Sequence, residues 1–233
     1  TNSQPLRHSF FNKTYWSHPA AIVDSNASYG ACIAYDSLSG KKVAFSHWDS
    51  VYQPAIYVTD GFDSVWSEPQ KLFETNVPTL FPTILYDDAQ VLHIGWLSGT
   101  NDYLSPPAGD IYYGIVDGDS MKQTTRISNY NKGGQSLSLS IDFQNRLYLV
   151  WDRPDNFFAD LLIYHAFKDL SGWHPMPSIG VGGDTKVRAD RLRKLHLSYS
   201  HVPGPGAREI FYRSNHGGGW STPLQVSVQS ELF

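Results

Sequence analysis

Short apolar runs separated by polar turns fill the chain, and no useful length of it has the periodicity of an amphipathic helix. Residues 146–175 show the recurring unit. Leu147–Trp151 is an apolar run that ends in an aromatic residue, and Leu161–Phe167 is a second run beyond a polar loop. Trp173 opens a third run after a short turn. Apolar runs of this length, bounded by turn residues, predict β-strands.

Tryptophan marks the start of the last strand in successive copies of this unit. It occurs as Trp16, Trp66, Trp173 and Trp220, at intervals of 50, 107 and 47 residues. The double interval contains one degenerate copy, in which Met121 takes the tryptophan position. The spacing therefore indicates an internal repeat of about 50 residues.

Two more aromatic landmarks recur in the same order. The residue that ends the second strand is aromatic in each copy: Trp48, Trp96, Trp151 and Tyr199. The third strand carries a tyrosine in each copy: Tyr57, Tyr112, Tyr164 and Tyr212. Three landmarks in a fixed order, with about four strands per repeat, predict the blades of a β-propeller.

We predict an all-β fold, a single β-propeller domain over residues 1–233 with four-stranded antiparallel blades. Complete blades are expected at about 29–75, 76–128, 129–180 and 181–233. Residues 1–28 align with the outer strands of the last blade, Leu6 with Ile210 and Trp16 with Trp220, and predict a half blade. We expect a missing segment or a second chain to complete a larger propeller. A five-bladed ring closed within this chain is the alternative.

Aspartate recurs nine residues before the strand-end aromatic, as Asp87, Asp142 and Asp190. These residues fall in the turn between the two inner strands, where aspartate is favoured because it binds its own turn backbone. His93 and His196 occupy equivalent strand positions, which favours packing over zinc binding. We predict no metal site and no cofactor.

Composition limits the classes of partner that the chain is expected to bind. The net charge is −4 and no stripe of lysine and arginine is visible in the sequence, so we predict no nucleic-acid partner. No apolar run is long enough to span a membrane, and we predict no membrane span. Cys32 has no second cysteine to pair with and is expected to be a buried thiol. We expect an extracellular or periplasmic location.

Two turns before a last strand resemble a known motif. Residues 214–220, SNHGGGW, and 168–173, KDLSGW, are similar to the Asp-box, Ser-x-Asp-x-Gly-x-x-Trp. The chain thus resembles sialidase-type propellers, a superfamily that includes propeller lectins and glycan-acting enzymes, and propeller polysaccharide lyases share similar repeats. The resemblance covers the whole chain as repeats and implies the fold. The Arg-Ile-Pro motif of sialidases is absent here, and their Tyr–Glu pair has no assignable counterpart.

The loops after the second strands are the candidate site, because such loops converge near the channel on one face of a propeller. They place aromatic rings beside Asp, Asn and Arg. A ring stacks on the C–H face of a sugar while polar groups bind its hydroxyls. The predicted ligand-binding residues are Trp48, Asp49, Trp96, Asp102, Tyr103, Trp151, Asp152, Arg153, Asp155, His201 and Arg208.

The preferred function is lectin-like carbohydrate binding, and the alternatives stay open. A glycoside hydrolase would draw its carboxylate pair from Asp49, Asp102, Asp152 or Asp155. A polysaccharide lyase would use His47, His201, Tyr103 and Arg153. A protein-interaction scaffold is the third. At each of these loops, the competing interpretation is that the Trp packs between blades and the Asp caps a turn. No catalytic residue is assigned.

Overall fold

A computed structural model describes residues 6–9, 13–15, 17–23, 27–36, 40–49, 53–62, 65–73, 77–100, 108–118, 120–128, 136–154, 161–202, 208–217 and 219–227. Within these ranges all of the regular secondary structure is β-strand, and no helix is present. The strands form consecutive antiparallel sheets arranged as the blades of a β-propeller. The predicted fold class is therefore confirmed.

The first two sheets differ in completeness. The half blade has the strands β1 (Leu6–His8) and β2 (Ala20–Val23), which pair with each other and with no other strand of the described residues. Blade 1 has the strands β3 (Ala27–Asp36), β4 (Gly40–Asp49), β5 (Gln53–Phe62), β6 (Val65–Trp66) and β7 (Gln70–Lys71). Both β6 and β7 pair with β5, so together they are the outer strand.

The remaining blades have four strands each, paired in chain order. Blade 2 has β8 (Thr79–Tyr86), β9 (Leu92–Thr100), β10 (Ala108–Asp117) and β11 (Ser120–Arg126). Blade 3 has β12 (Leu137–Ile141), β13 (Leu147–Pro154), β14 (Leu161–Asp169) and β15 (Gly172–Val181). Blade 4 has β16 (Gly183–Ala189), β17 (Leu195–His201), β18 (Glu209–Asn215) and β19 (Leu224–Gln225). The domain limits and the completion of the half blade stay predictions.

A stacked aromatic pair recurs at the centre of each complete blade. Its members lie directly opposite each other on the second and third strands. Ring centroids are 5.6 to 6.2 Å apart, with interplanar angles of 17 to 22°. The pairs are Phe45–Tyr57, Trp96–Tyr112, Trp151–Tyr164 and Tyr199–Phe211. The pairs of blades 2, 3 and 4 belong to the core clusters between the sheets.

Two sequence landmarks fall outside these pairs. Phe45 takes the position assigned to Trp48, because strand β4 pairs with β5 so that Trp48 lies opposite Pro54. Phe211 takes the position assigned to Tyr212. Successive residues of a strand point to opposite faces, so Tyr212 lies on the other side of the sheet. Its hydroxyl there contacts Nδ1 of His196 at 2.7 Å.

Each member of the outer-strand landmark lies opposite the residue four positions after the stacked aromatic of the third strand. These cross-strand partners are Trp66 with Gly61, Met121 with Val116, Trp173 with Lys168, and Trp220 with Asn215. The degenerate copy at Met121 thus occupies the predicted place.

Outer-strand tryptophans reach back to the preceding blade. The Trp173 ring packs edge-on against Tyr113 of blade 2, with centroids 5.0 Å apart. The Trp220 ring packs the same way against His165 of blade 3, at 5.6 Å. In blade 1, Trp66 Nε1 donates a 3.0 Å hydrogen bond to Nδ1 of His8 in the half blade. His8 therefore lies where a third-strand residue lies in the other blades, as the alignment predicted.

Side-chain hydroxyls and one thiol join the innermost strands of neighbouring blades. At one repeated position, the side chain accepts a hydrogen bond from a backbone amide of the next blade. The donor and acceptor pairs are Ile84 N to Cys32 Sγ at 3.5 Å, Leu139 N to Thr83 Oγ1 at 3.2 Å and Val187 N to Ser138 Oγ at 3.1 Å. These amides lie on the free edge of a first strand, where they would otherwise be unpaired.

The contact between blades 3 and 4 extends this arrangement over three serines. Ser136 and Ser140 accept hydrogen bonds from the amides of Thr185 and Ala189, at 2.9 and 2.8 Å. Ser138 lies between them. Side chains alternate along a strand, so three serines at every second position present three hydroxyls to the same neighbour.

The turn aspartates have the predicted role. Asp190 Oδ1 accepts hydrogen bonds from the amides of Leu192 and Lys194. Asp190 Oδ2 lies 3.1 Å from Nε2 of His196. Asp87 and His93 repeat this contact in blade 2. The two histidines are therefore equivalent members of hydrogen-bond chains that begin in a turn.

The serine contact predicts a stability difference between two Ser→Ala variants. Ser138→Ala leaves the buried Val187 amide without its acceptor and should lower the free energy of unfolding by about 1 to 3 kcal/mol. Ser198→Ala is the matched control, because Ser198 is exposed on β17. Urea denaturation measures both. An equal effect of the two variants would contradict the role of the serine contact.

The buried His165 predicts an acid-sensitive component of stability. Its side chain is 8% exposed, and within the described residues its Nδ1 has no hydrogen-bond partner. Burial lowers the pKa of His165 to about 4. The folded-state pKa is below the unfolded value, so this stability is complete above about pH 6.5 and is lost as the pH falls toward 4.

We expect His165→Phe to lose less stability than the wild type between pH 7 and pH 4, by up to about 3 kcal/mol. Phenylalanine keeps a ring against Trp220 but has no titrating group. Urea denaturation at both pH values measures the difference, with the exposed His216→Gln as control. Parallel pH profiles for wild type and His165→Phe would show that His165 does not carry the effect.

Candidate functional site

An open pocket lies between blades 3 and 4. It forms where β14 begins, where β15 passes into β16, and where β17 ends. Its walls are Leu161, Val181, Gly182, Gly183, Ser200, His201, Val202 and Arg208. The lining therefore combines aliphatic side chains with hydroxyl, imidazole and guanidinium groups.

A charged network borders the pocket. Arg208 Nη1 and Ser200 Oγ both donate 2.6 Å hydrogen bonds to Oδ2 of Asp184. The bond from Ser200 is the largest influence that lowers the pKa of Asp184; burial opposes it and Arg208 adds to it. Asp184 is therefore an anion at neutral pH. Both charged side chains are more than half exposed, so they remain accessible from solvent.

Arg208 and His201 supply further hydrogen-bonding groups. A guanidinium has five N–H donors, and both contacts of Arg208 in the network use Nη1. His201 is partly exposed at the end of β17, with its ring 5.9 Å from Phe211. Both residues were predicted from sequence, and the structure brings them together at the pocket.

Asp152 lies behind the pocket and is fully buried. Its Oδ1 accepts a hydrogen bond from the Ser136 amide at 3.0 Å. Its Oδ2 accepts bonds from Ser136 Oγ at 2.5 Å and from the Asp184 amide at 2.9 Å. A Cβ on Gly183 would come within 3.2 Å of that oxygen. Asp152 thus fixes the start of β16, and with it the backbone of Asp184.

Arg153 packs on blade 3. Its guanidinium lies 4.2 Å from the centre of the Tyr164 ring, and Nη2 donates a 2.9 Å hydrogen bond to the Tyr164 hydroxyl. Tyr164 in turn stacks on Trp151. The end of β13 therefore carries a side chain that covers the Tyr164 ring of its own blade.

The two described tryptophans of the predicted set are core residues. Trp96 is 3% exposed in the cluster between blades 1 and 2, and Trp151 is 4% exposed in the cluster between blades 2 and 3. Their contact with a ligand stays a prediction. The side chains of Trp48 and Asp49, and all of Asp102, Tyr103 and Asp155, lie outside the described residues.

Sequence reasoning missed Asp184, Ser200 and Glu209. Glu209 is buried and lies opposite His201 across the paired strands. It accepts a hydrogen bond from the Ser227 hydroxyl, which in turn accepts one from the Ile210 amide. The Gly182-Gly183 pair was the sequence signal that could have pointed to this region, because glycine at a strand indicates close approach of other atoms to the backbone. A Cβ on Gly182 would lie 2.3 Å from the Tyr199 ring.

The described part of the chain contains no group of three or more His, Cys, Asp or Glu side chains placed to hold a metal ion. It also contains no helix that could span a membrane.

Because Asp152 is buried, we expect its replacement by asparagine to lower folding stability more than the same replacement at Asp184. Asp152→Asn turns an amide N–H₂ toward hydrogen-bond donors and should cost about 1 to 3 kcal/mol of folding stability. Asp184→Asn is the matched control, with an expected change within about 0.5 kcal/mol. Urea denaturation distinguishes the two. A neutral Asp152→Asn would show that the buried carboxylate does not hold the start of β16.

Known proteins resemble this chain in structure but not detectably in sequence. No sequence family and no curated protein matches it. A protein of unknown function from Dyadobacter fermentans superposes with a TM-score of 0.69 at 11% identity, covering 88% of this chain and 72% of that one. A thermostable family-43 glycoside hydrolase superposes with a TM-score of 0.58 at 15% identity, covering 83% and 74%.

A Hadza microbial sialidase superposes with a TM-score of 0.63 at 13% identity, covering 83% of this chain. The match spans 45% of the sialidase, so this chain corresponds to less than half of that protein. Likeness at such identity shows the fold and leaves the chemistry to the site. The chain has the β-propeller fold found in sialidases and family-43 glycoside hydrolases.

Proposed function

We propose that the chain is a lectin-like β-propeller that binds carbohydrate in the pocket between blades 3 and 4. The observation that carries the proposal is the network of Arg208, Asp184 and Ser200 beside an apolar wall. It places an anionic acceptor, a cationic donor and a hydroxyl within one hydrogen-bond network at the pocket.

The pocket offers what a sugar ring requires. Neighbouring sugar hydroxyls need a donor and an acceptor side by side, and Arg208 and Asp184 supply them. The C–H face of the ring needs an apolar surface, which Leu161 and Val181 supply within the same lining. Asp152 and Gly183 hold the backbone beneath Asp184, so the acceptor is positioned before any ligand arrives.

Binding without turnover is favoured by the state of Asp184 and Asp152, two carboxylates near the pocket. A hydrolase of this kind needs one carboxyl group that stays protonated as a general acid, which requires a raised pKa. The pKa of Asp184 is lowered, and Asp152 is buried among hydrogen-bond donors. A protein-interaction scaffold, in contrast, does not require this polar pocket.

A glycan-degrading enzyme is the second candidate, because the compared structures include a sialidase and a glycoside hydrolase. Its carboxylates would come from Asp49, Asp102 or Asp155, whose side chains lie outside the described residues. For either function we propose an extracellular or periplasmic location, where glycan polymers are encountered.

A glycan array followed by calorimetry of the best ligand tests the proposal. We expect Arg208→Gln to lower the affinity about tenfold or more, because it removes a charged hydrogen-bond donor. Arg7→Gln removes an exposed arginine from the half blade and should leave the affinity unchanged. Wild-type affinity in Arg208→Gln would contradict the pocket. Mass analysis of the incubated ligand separates the two candidates, since cleavage would favour the enzyme.

A further inference from the structure

In three contacts between neighbouring sheets, the outer-strand residue is a tryptophan that packs on an imidazole or phenol ring of the preceding sheet. That ring belongs to the residue after the stacked aromatic of a third strand, or to the aligned residue of the half blade. Where the outer-strand residue is Met121, the same position is Val58, and both join one apolar cluster. Side chains at the two positions therefore change together. The tryptophan pairs are Trp66 with His8, Trp173 with Tyr113 and Trp220 with His165.

The contact between the half blade and blade 1 shows what such a pair does. The Trp66 and His8 rings are 5.2 Å apart between centroids, with an interplanar angle of 72°. Trp66 Nε1 donates a 3.0 Å hydrogen bond to His8 Nδ1. The Trp220 and His165 rings are 5.6 Å apart at 87°. The contact between blades 3 and 4 thus has nearly the same edge-on arrangement of the same two ring types.

The ring nitrogens that would bond in this second contact are both buried. Within the described ranges, neither Trp220 Nε1 nor His165 Nδ1 has another hydrogen-bond partner. An indole nitrogen is a donor only, and Nδ1 of a neutral imidazole accepts when the proton is on Nε2. Leaving a buried donor and a buried acceptor unpaired is unfavourable, so a small ring rotation that joins them stabilises the contact.

The groups around His165 do not compensate for a proton on its ring. Tyr148 lies on the same face of the sheet and donates its hydroxyl to Asp142. Arg213 of β18 reaches blade 3 and donates to the Ile179 carbonyl. Burial is the influence that lowers the pKa of His165 to about 4. Protonation would remove the acceptor and leave a buried charge between two blades. The residues opposite His165 on the paired strands are Val150 and Met176.

We propose that Trp220 and His165 form a proton-sensitive latch between blades 3 and 4. At neutral pH the Trp220 indole N–H is donated to the neutral imidazole, which holds the outer part of blade 4 on blade 3. When His165 takes up a proton, this bond is lost and the contact opens locally, while the core between blades 2 and 3 stays closed. The latch is fully favoured above about pH 6.5, and it weakens as the pH falls toward 4. It does not depend on carbohydrate binding.

Hydrogen exchange of the indole N–H groups, followed by NMR on protein labelled with ¹⁵N-tryptophan, tests the proposal. Protection is measured at pH 7 and pH 5 and corrected for the exchange rate of free indole. We expect the protection of Trp220 to fall about twentyfold, because the open contact binds a proton near pH 6.5 and the closed contact does so only near pH 4. Trp151, which is buried in the core between blades 2 and 3, should change by less than about threefold.

Two variants remove the titrating group and keep the site filled. His165→Tyr introduces the side chain that Tyr113 and Tyr212 supply at the equivalent positions, and Trp220 should then have equal protection at both pH values. His165→Gln keeps an acceptor without a proton to gain, and it should give the same result if His165→Tyr fails to fold. The exposed His216→Gln should behave as the wild type does.

Three results would overturn the latch. One is wild-type protection of Trp220 that does not change between pH 7 and pH 5. Another is a fall that persists in His165→Tyr or His165→Gln. The third is an equal fall at Trp151, which would show that acid opens the whole fold rather than this contact.

Discussion

The contact between neighbouring blades is the constraint on which the rest of the structure depends. A first strand has one paired edge and one free edge, and buried amides on the free edge must find acceptors. Cys32, Thr83 and Ser138 supply those acceptors from the preceding blade. Outer-strand tryptophans add a second contact in the same direction, Trp173 on Tyr113 and Trp220 on His165. Blades 3 and 4 are thus each joined to the preceding blade at both the innermost and the outer strand.

These contacts explain where a site can form. A stacked aromatic pair fills the middle of each blade, so these large rings pack inside the fold. Polar groups that are free to bind a ligand are left at strand ends, where Ser200 and His201 end β17 and Asp184 begins β16. The same serine contact reaches this site through Ser136, which bonds both Asp152 and the Thr185 amide. The pocket is therefore an extension of the inter-blade contact.

Spacing along the sequence was enough to predict the fold and the outer-strand landmark, because one residue per repeat in a fixed place needs no knowledge of register. Met121 was predicted correctly on spacing alone. Trp48 and Tyr212 were misassigned because spacing does not reveal which residues face each other across two strands, and a shift of one residue changes the face. Arg208 and His201 were predicted as site residues, but Asp184 was not, because its contacts with Ser200 and Arg208 depend on how the strands of blade 4 pair, which spacing does not reveal. The burial of Trp96, Trp151 and Asp152 likewise depends on the neighbouring blades, which sequence composition does not show.

Chemical-shift mapping of backbone amides with a glycan ligand tests most directly whether the pocket between blades 3 and 4 binds carbohydrate. The account predicts that the largest shifts on titration fall on Gly183, Asp184, Ser200, His201 and Arg208, which meet at the pocket. Residues of β5 in blade 1 should shift little. Saturable shifts centred on another blade, with the pocket amides unchanged, would contradict the account.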